Sequence, residues 1–270
     1  MKILAVNPFG GTEPGAKETF AKIARPDVQF EVENIKPVFP LDYNTWGYNM
    51  LKVTNATVER IIKAEEEGYD AVFISCMQDP GLYESRAVVD IPVTASLESA
   101  AWIAMMMGKK FSIVTVPPPV PQQMSFIVDK YGLRERTASI RYIDIIANKL
   151  YPEQTDPEVV KEMTMKVIRK CVEEDGAEVI ISGCTILGAV LTTFFDASIK
   201  DEPVPIIDPM VAGFKMTELM VDLMKLGYPA VSRLGLWKKQ PEQEHKDLRE
   251  WMRKNPSPEQ YYQGLQKEVR

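Results

Sequence analysis

The chain has 270 residues, enough for one large α/β domain or two smaller ones. Its hydrophobic content of 45% and charged content of 26% are typical of a globular protein, and a formal net charge of −6 provides no basic face for nucleic acid. No apolar run approaches the roughly 18 residues that a membrane span needs. We therefore expect neither a nucleic-acid partner nor a membrane partner.

Cysteine and histidine usage narrows the chemistry further. Three cysteines without paired spacing are typical of a reducing compartment, so we expect a cytoplasmic protein. The sequence has no zinc-ligand spacing, no GxGxxG motif and no Walker A loop. The single histidine, His245, lies in a charged C-terminal segment, which argues against mechanisms that need a positioned imidazole. We expect no metal and no cofactor.

The first part of the chain alternates predicted strands and helices. Strands are predicted over 2–7, over 28–32 and before Cys76, and helices over 14–24, over 52–67 and near 80–89. The stretch from Pro37 to Asn49 is rich in proline and aromatic residues, which predicts a loop folded over another part of the protein.

The second part continues the same alternation. Strands are predicted over 111–115, near 138–143, before Cys184 and over 204–207, and helices over 96–107, 121–130, 157–174, 187–198 and 209–226. Such alternation predicts parallel sheets with helices on both faces. From Leu234 on, the chain is charged with interspersed Trp and Tyr, which predicts amphipathic helices that are either packed or solvated.

Two similar stretches suggest a duplication. The first, Asp70-Ala-Val-Phe-Ile-Ser-Cys76, and the second, Gly176-Ala-Glu-Val-Ile-Ile-Ser-Gly-Cys184, each end a buried apolar run in a cysteine. The segments Ile91-Pro-Val and Val204-Pro-Ile repeat in the same way, each before a helix. Because ligands bind at the carboxyl ends of strands in open α/β sheets, the two cysteines indicate a duplicated half-site.

Two thiols on opposite sides of a carbon acid suit a two-base isomerisation. One thiolate removes the α-proton from one face while the opposite thiol delivers a proton to the other face. A thiolate is favoured near a helix N-terminus, and both Cys76 and Cys184 precede predicted helices. Polar groups at strand ends, Asn7, Thr115 and Thr185, are candidates to bind the substrate, although such residues also cap helices. Cys171 lies on an apolar helical stripe and is expected in the core.

These motifs resemble the aspartate/glutamate racemase superfamily. The similarity lies in Cys76-Met-Gln-Asp-Pro-Gly-Leu, Gly183-Cys184-Thr, Asn7-Pro and Ile206-Ile-Asp-Pro209, and the Asp-Pro-Gly-Leu points to the hydantoin and allantoin racemase branch. The resemblance implies an α/β fold of two pseudo-symmetric lobes with the active site between them, and homo-oligomers. It also implies cofactor-free catalysis by Cys76 and Cys184, with the small-molecule substrate held by Asn7, Thr185 and the amides at Met77 and Gln78.

The expected organisation follows from pattern and resemblance together. Residues 1–95 with 208–231 are expected to form the first lobe, 96–207 the second, and 232–270 a C-terminal helical extension. Phe9 stands where the resembled branch often has a polar residue, and Met77 and Gln78 replace small or aromatic residues there. These departures weaken the prediction of the substrate more than the prediction of the enzyme class.

Several activities stay open at this point. A racemase of a cyclic amino-acid derivative such as a hydantoin or allantoin is favoured. An aspartate/glutamate-type racemase or a maleate-type cis–trans isomerase would want cations near the site, and Arg86 and Lys109-Lys110 are the candidates. A malonate decarboxylase needs only one cysteine, and a non-catalytic small-molecule binder needs neither.

Overall fold

The structure, a computed structural model, describes residues 1–9, 15–35, 47–200 and 204–254. For 196–200, 242, 245, 249, 252 and 253 it describes only the backbone. Most of the predicted aromatic loop and the side chain of His245 therefore lie outside the described residues. Residues Met1–Val231 form one compact unit, and the described residues from Ser232 on form a second.

Eight strands in the described part of the chain form two four-stranded sheets. The strands are β1 (Lys2–Asn7), β2 (Gln29–Asn34), β3 (Ala71–Ile74), β4 (Val93–Ala95), β5 (Phe111–Thr115), β6 (Thr137–Tyr142), β7 (Val179–Ser182) and β8 (Ile206–Ile207). The order is β2-β1-β3-β4 in the first sheet and β6-β5-β7-β8 in the second, and every pairing is parallel. The two orders correspond strand by strand, which confirms the predicted pseudo-symmetric α/β fold.

Helices flank both sheets and alternate with the strands. They are α1 (Ala16–Ile23), α2 (Gly47–Glu66), α3 (Leu82–Val88), α4 (Ser96–Met107), α5 (Val120–Lys130), α6 (Pro157–Glu173), α7 (Thr185–Lys200), α8 (Pro209–Lys225) and, in the second unit, α9 (Glu242–Lys254). Most boundaries agree with the sequence prediction, but α2 begins at Gly47 and not at 52. None of the helices among the described residues is long and apolar enough to cross a bilayer.

The central strands are buried on both faces. β3 and β5 have every residue buried, as expected for strands covered by helices on two sides, whereas the edge strands β2 and β6 are only partly buried. In β3 the alternation separates two apolar clusters: Val72 and Ile74 face one cluster with Ile61 of α2, and Phe73 faces another with Phe214 of α8.

Helix α8 approaches the first sheet closely because it carries a glycine at the contact. A Cβ added to Gly213 would lie 2.0 Å from Cε2 of Phe73, far inside van der Waals contact. Phe73 is fully buried, and because protein interiors are close-packed, displacing its ring costs free energy. The glycine therefore sets the distance between α8 and β3.

We predict that Gly213→Ala lowers the free energy of unfolding by about 2 kcal/mol or more, because overpacking costs exceed the ~1 kcal/mol that alanine usually adds to a helix. Equilibrium denaturation in urea measures the change. The matched background is Phe73→Leu, which removes the ring atoms in conflict. There Gly213→Ala should cost much less, and an equal cost in both backgrounds would contradict this account.

Candidate active site

A cavity opens where the carboxyl ends of the central strands of both sheets meet. Its volume is about 70 Å³, several times the roughly 10–15 Å³ that one water molecule needs by the same measure. It is lined by Asn7, Phe9, Ser75, Cys76, Met77, Gln78, Val116, Val120, Met124, Ala147, Tyr151, Gly183, Cys184, Thr185 and Ile186. The first six come from the carboxyl ends of strands of the first sheet and the loops that follow them, and the rest come from the second half.

Most of the predicted site residues lie together on this cavity. The cavity is lined by both candidate catalytic residues, Cys76 and Cys184, and by four candidate substrate-binding residues, Asn7, Met77, Gln78 and Thr185. The fifth candidate lies elsewhere.

Thr115 does not line the cavity. It is fully buried, and its hydroxyl donates a hydrogen bond of 2.7 Å to the carbonyl of Gly183. The hydroxyl is thus directed at the backbone beside Cys184. In the structure, Thr115 supports the second cysteine turn in place of the expected direct contact with substrate.

Cys76 lies in a tight turn directly after β3. The amide of Ser75 donates to the carbonyl of Val6 at 2.8 Å, which fixes the end of the strand. The Gln78 amide donates to Cys76 Sγ at 3.4 Å, and the Asp79 amide donates to the Cys76 carbonyl at 3.1 Å. An N–H group directed at the sulfur stabilises a thiolate more than a thiol, because hydrogen bonds to ionised acceptors are stronger.

Cys184 lies at the N-terminus of the long helix α7. Its carbonyl accepts the amide of Gly188 at 2.9 Å, which starts the helix, and also the hydroxyl of Ser182 at 3.1 Å. The amide of Gly183 donates to the carbonyl of Val114 at 2.7 Å. The aligned peptide dipoles of α7 favour negative charge on Cys184. The surroundings of the two thiols therefore differ: the Gln78 amide is directed at Cys76 Sγ, whereas Cys184 lies at a helix N-terminus.

Gly183 is the residue that lets the Cys184 turn lie against β5. An added Cβ would lie 2.6 Å from Cγ2 of Ile113 and 2.6 Å from Cβ of Thr115. Both neighbours are fully buried in the central strand. A side chain at 183 would therefore push the turn, and Cys184 with it, away from the sheet.

Asp79, the first residue of the Asp-Pro-Gly-Leu motif, is a buried carboxylate to which sequence analysis assigned no role. It is 7% exposed, and it accepts the amides of Leu97 and Glu98 at the start of α4, at 2.8 and 2.9 Å, and the hydroxyl of Tyr131 at 2.8 Å. Burial raises the pKa of Asp79 to about 7, although these hydrogen bonds oppose the rise. The same burial, with the nearby Asp79 charge, also raises the pKa of Tyr131.

Charged neighbours surround this carboxylate. Glu98 accepts a two-point ion pair from Arg86 of α3, at 2.8 and 2.6 Å, and both side chains are largely buried. Tyr83 of α3 lies nearby, with its ring centroid 5.7 Å from that of Tyr131. Arg86 is therefore engaged with Glu98, which leaves it poorly suited to the diacid substrate for which it was considered.

Three other predicted features have clear positions. Lys109 and Lys110 precede β5, at the end of the strand opposite to the cavity. Cys171 is fully buried in α6, as expected for a core residue, and burial raises the pKa of its thiol. Asn7 accepts the amide of Phe9 through Oδ1 at 3.1 Å, so its side chain shapes the loop as well as lining the cavity.

The apolar wall of the cavity was missed by sequence analysis. Val120 and Met124 lie one turn apart on α5, and Ala147 and Tyr151 come from the segment between β6 and α6. The spacing of Val120 and Met124 marks a helix face but not what it faces. In the described part of the chain, no group of three or more His, Cys, Asp or Glu residues could hold a metal ion.

Comparison with known proteins gives a consistent picture. The sequence profile of the Asp/Glu/hydantoin racemase family matches residues 18–217. A hydantoin racemase from Pseudomonas sp. (strain NS671) is 36% identical over 231 residues, covering 83% of this chain and 88% of that protein. A hydantoin racemase from Paenarthrobacter aurescens is 28% identical over 249 residues, covering 91% and 100%. The structure of allantoin racemase from Klebsiella pneumoniae has a TM-score of 0.75 at 26% identity, covering 90% and 94%.

We predict a pH-dependent contribution of Asp79 to stability. Between pH 4 and 7 the unfolded chain has lost this proton while the folded protein retains it, because its pKa rises from 3.8 to about 7 on folding. The free energy of unfolding should therefore fall by up to about 4 kcal/mol as pH rises through this window. Asp79→Asn should remove that part of the slope in urea denaturation. Parallel pH profiles for the two proteins would contradict the prediction.

Proposed function

The chain belongs to the Asp/Glu/hydantoin racemase family, and we propose that it inverts the stereocentre of a 5-substituted hydantoin with Cys76 and Cys184 as the two bases. The observation that carries this proposal is the shared cavity. It is lined by two cysteines that follow equivalent central strands, β3 and β7, of two pseudo-symmetric sheets. A racemase needs proton transfer on two faces of one carbon, and two half-sites supply one thiol each.

The proposed reaction starts with one thiolate and one thiol. The thiolate takes the proton from C5 of the ring, and the electron pair moves toward the C4 carbonyl oxygen to give an enolate. The opposite thiol then gives its proton to C5 on the other face. The first cysteine ends as a thiol and the second as a thiolate, so the enzyme is ready for the reverse direction.

The enolate charge needs hydrogen-bond donors, and the cavity offers backbone amides. Amides follow Cys76 in its turn and follow Cys184 at the start of α7, where the helix dipole adds positive potential. Asn7 and Thr185 are the polar side chains beside them. We propose that these groups bind the ring carbonyls and the developing oxyanion.

The substituent at C5 is proposed to be apolar. Val116, Val120, Met124, Tyr151 and Ile186 form a mostly hydrocarbon wall to the cavity. Such a wall gains free energy from burying an alkyl or aryl group, and it leaves the polar ureido group of allantoin without partners. We therefore favour hydantoins that correspond to apolar amino acids over allantoin itself.

A diacid substrate is the second candidate, and the site favours it less. No lysine or arginine is among the described residues that line the cavity. Two carboxylates of aspartate, glutamate or maleate would lose hydration without gaining a charged partner. A non-catalytic binder would be indicated if ligand binding were insensitive to thiol alkylation.

The setting of the reaction is also a proposal. Both thiols must stay reduced to act as acid and base, which suits the cytoplasm. We propose a homo-oligomer that acts on a small molecule without nucleic-acid or membrane partners. Size-exclusion chromatography with light scattering measures the molar mass of the assembly.

The deciding experiment follows proton exchange at C5 by NMR in deuterated water, with L- and D-5-substituted hydantoins and allantoin. The wild type should racemise an alkyl hydantoin faster than allantoin. Cys76→Ser and Cys184→Ser should each lose racemisation by roughly 100- to 10,000-fold, the usual contribution of a general acid or base, yet each should keep exchange of one enantiomer.

Cys171→Ala is the matched control, since it removes a thiol that is buried away from the cavity, and its activity should equal that of the wild type. Loss of activity in only one of the two cavity variants would exclude the two-base mechanism. If no ring substrate exchanges, the hydantoin proposal fails and the assay moves to aspartate, glutamate and maleate.

We also predict that Gly183→Ala lowers kcat by about 100-fold, because a displacement of about 1 Å at a reacting group has that order of effect. The contacts of the added Cβ with Ile113 and Thr115 displace the Cys184 turn. Thr115→Ser, which retains the hydroxyl that binds the Gly183 carbonyl, is the control and should remain close to wild type. Wild-type turnover by a folded Gly183→Ala protein, checked by circular dichroism, would refute this role for the glycine.

A further inference from the structure

Helix α4 receives its N-terminal cap from the cysteine turn of the first lobe. Ala95 precedes the helix and has no side chain that can accept a hydrogen bond, so the carboxylate of Asp79 accepts the first amides instead. Ser96 adds a second connection, since its hydroxyl donates to the carbonyl of Ile74 at the end of β3. The start of α4 is thus hydrogen-bonded to Ile74 and to Asp79, which precede and follow Cys76 in the sequence.

The equivalent helix of the second half is capped locally. Helix α8 follows β8 as α4 follows β4, and its own Asp208 accepts the amide of Met210 at 2.8 Å. Thr192 of α7 donates to the other oxygen of Asp208 at 3.0 Å. A residue adjacent to the helix can therefore cap it in this fold. The use of Asp79, three residues after Cys76, places the cap where it also holds a catalytic turn.

Helix α5 holds the same turn at two further points. Tyr131, just after the helix, donates to Asp79 and packs against the apolar clusters of both sheets. Near the start of α5, Gln123 accepts a hydrogen bond from the side chain of Gln78. The same helix presents Met124 to the cavity, so α5 contacts the Cys76 turn and also forms part of the cavity wall.

From this geometry we propose that Asp79 is a positioning residue that fixes the Cys76 thiol in the cavity by joining its turn to α4 and to Tyr131. Asp79 is not among the described residues that line the cavity, so it acts through the turn and not on the substrate. The hydrogen bond that the backbone amide of Asp79 donates to the Cys76 carbonyl transmits the constraint. The catalytic consequence rests on the proposed function, whereas the effect on the thiol does not.

The first test measures the accessibility of each thiol. Asp79→Asn and Tyr131→Phe are treated with iodoacetamide, and mass spectrometry of the peptides gives separate alkylation rates for Cys76 and Cys184. Asparagine keeps one oxygen acceptor and replaces the other with a donor, so one amide of α4 loses its partner and the turn is held less firmly. The Cys76 rate should therefore rise by about tenfold in Asp79→Asn and less in Tyr131→Phe, while the Cys184 rate stays within about twofold of wild type.

Asp208→Asn is the matched control. It removes an equally buried capping carboxylate, so it should cost similar stability, yet the Cys76 alkylation rate should not change. If Asp79→Asn and Asp208→Asn affect the Cys76 rate equally, the effect is general loosening and the proposal is wrong. If Asp79→Asn does not fold, Tyr131→Phe, which removes only a hydroxyl, takes its place in the test. An unchanged Cys76 alkylation rate in that variant would then contradict the proposal.

The second test is kinetic, with the hydantoin exchange assay. Asp79→Asn should lower kcat by about 100-fold and change KM by less than about threefold, since the substrate contacts remain and the reacting group moves. The loss should be greater for the enantiomer whose exchange Cys76→Ser abolishes, and equal losses for both would overturn the proposal. If only Cys76 alkylation responds and no hydantoin reacts even with wild type, the positioning role stands and the proposed function fails.

Discussion

Parallel pairing of β3 with β1, and of β7 with β5, is the constraint on which both cysteines depend. The register sets Ile74 beside Val6 and Ser182 beside Val114, so each cysteine turn emerges next to the end of the neighbouring central strand. Because a parallel sheet gathers its carboxyl ends at one edge, four segments far apart in sequence meet there. The cavity lies where the carboxyl ends of the central strands of the two sheets come together.

The two halves repeat the same sheet but support their cysteines differently. Cys184 lies directly before helix α7, which is regular from Thr185 to a kink at Phe195, and the aligned dipoles of this first part favour negative charge at its N-terminus. Cys76 is followed by a turn and then by the seven-residue α3, which provides fewer aligned peptide dipoles. In the first half, tertiary contacts of Asp79 and Gln78 hold the turn, whereas in the second a helix N-terminus acts together with contacts of Gly183 to the neighbouring strand β5. Duplicated half-sites can thus differ in their supporting contacts although their strands correspond.

The sequence predicted those features whose cause is local. Apolar runs that end in Cys76 and Cys184 identify buried strands, and their repetition predicts two similar lobes and a shared site. Thr115 shows the limit of the method, because its place at a strand end is visible but the direction of its hydroxyl depends on Gly183, in the turn after another strand. Tyr131 and Tyr151 reach the site through contacts between distant segments, for which a single sequence carries no signal.

The character of the cavity connects the fold to the choice of substrate. Burying a thiolate among apolar side chains is costly, and the described lining residues include no cation to offset the charge. Backbone amides at the two cysteine turns are the fixed dipoles that remain, and they are strongest where water is excluded. Such a site can bear one negative charge, shared between thiolate and enolate during proton transfer. A neutral ring adds no further charge, whereas a dicarboxylate would add two, so the electrostatics of the lining favour the ring.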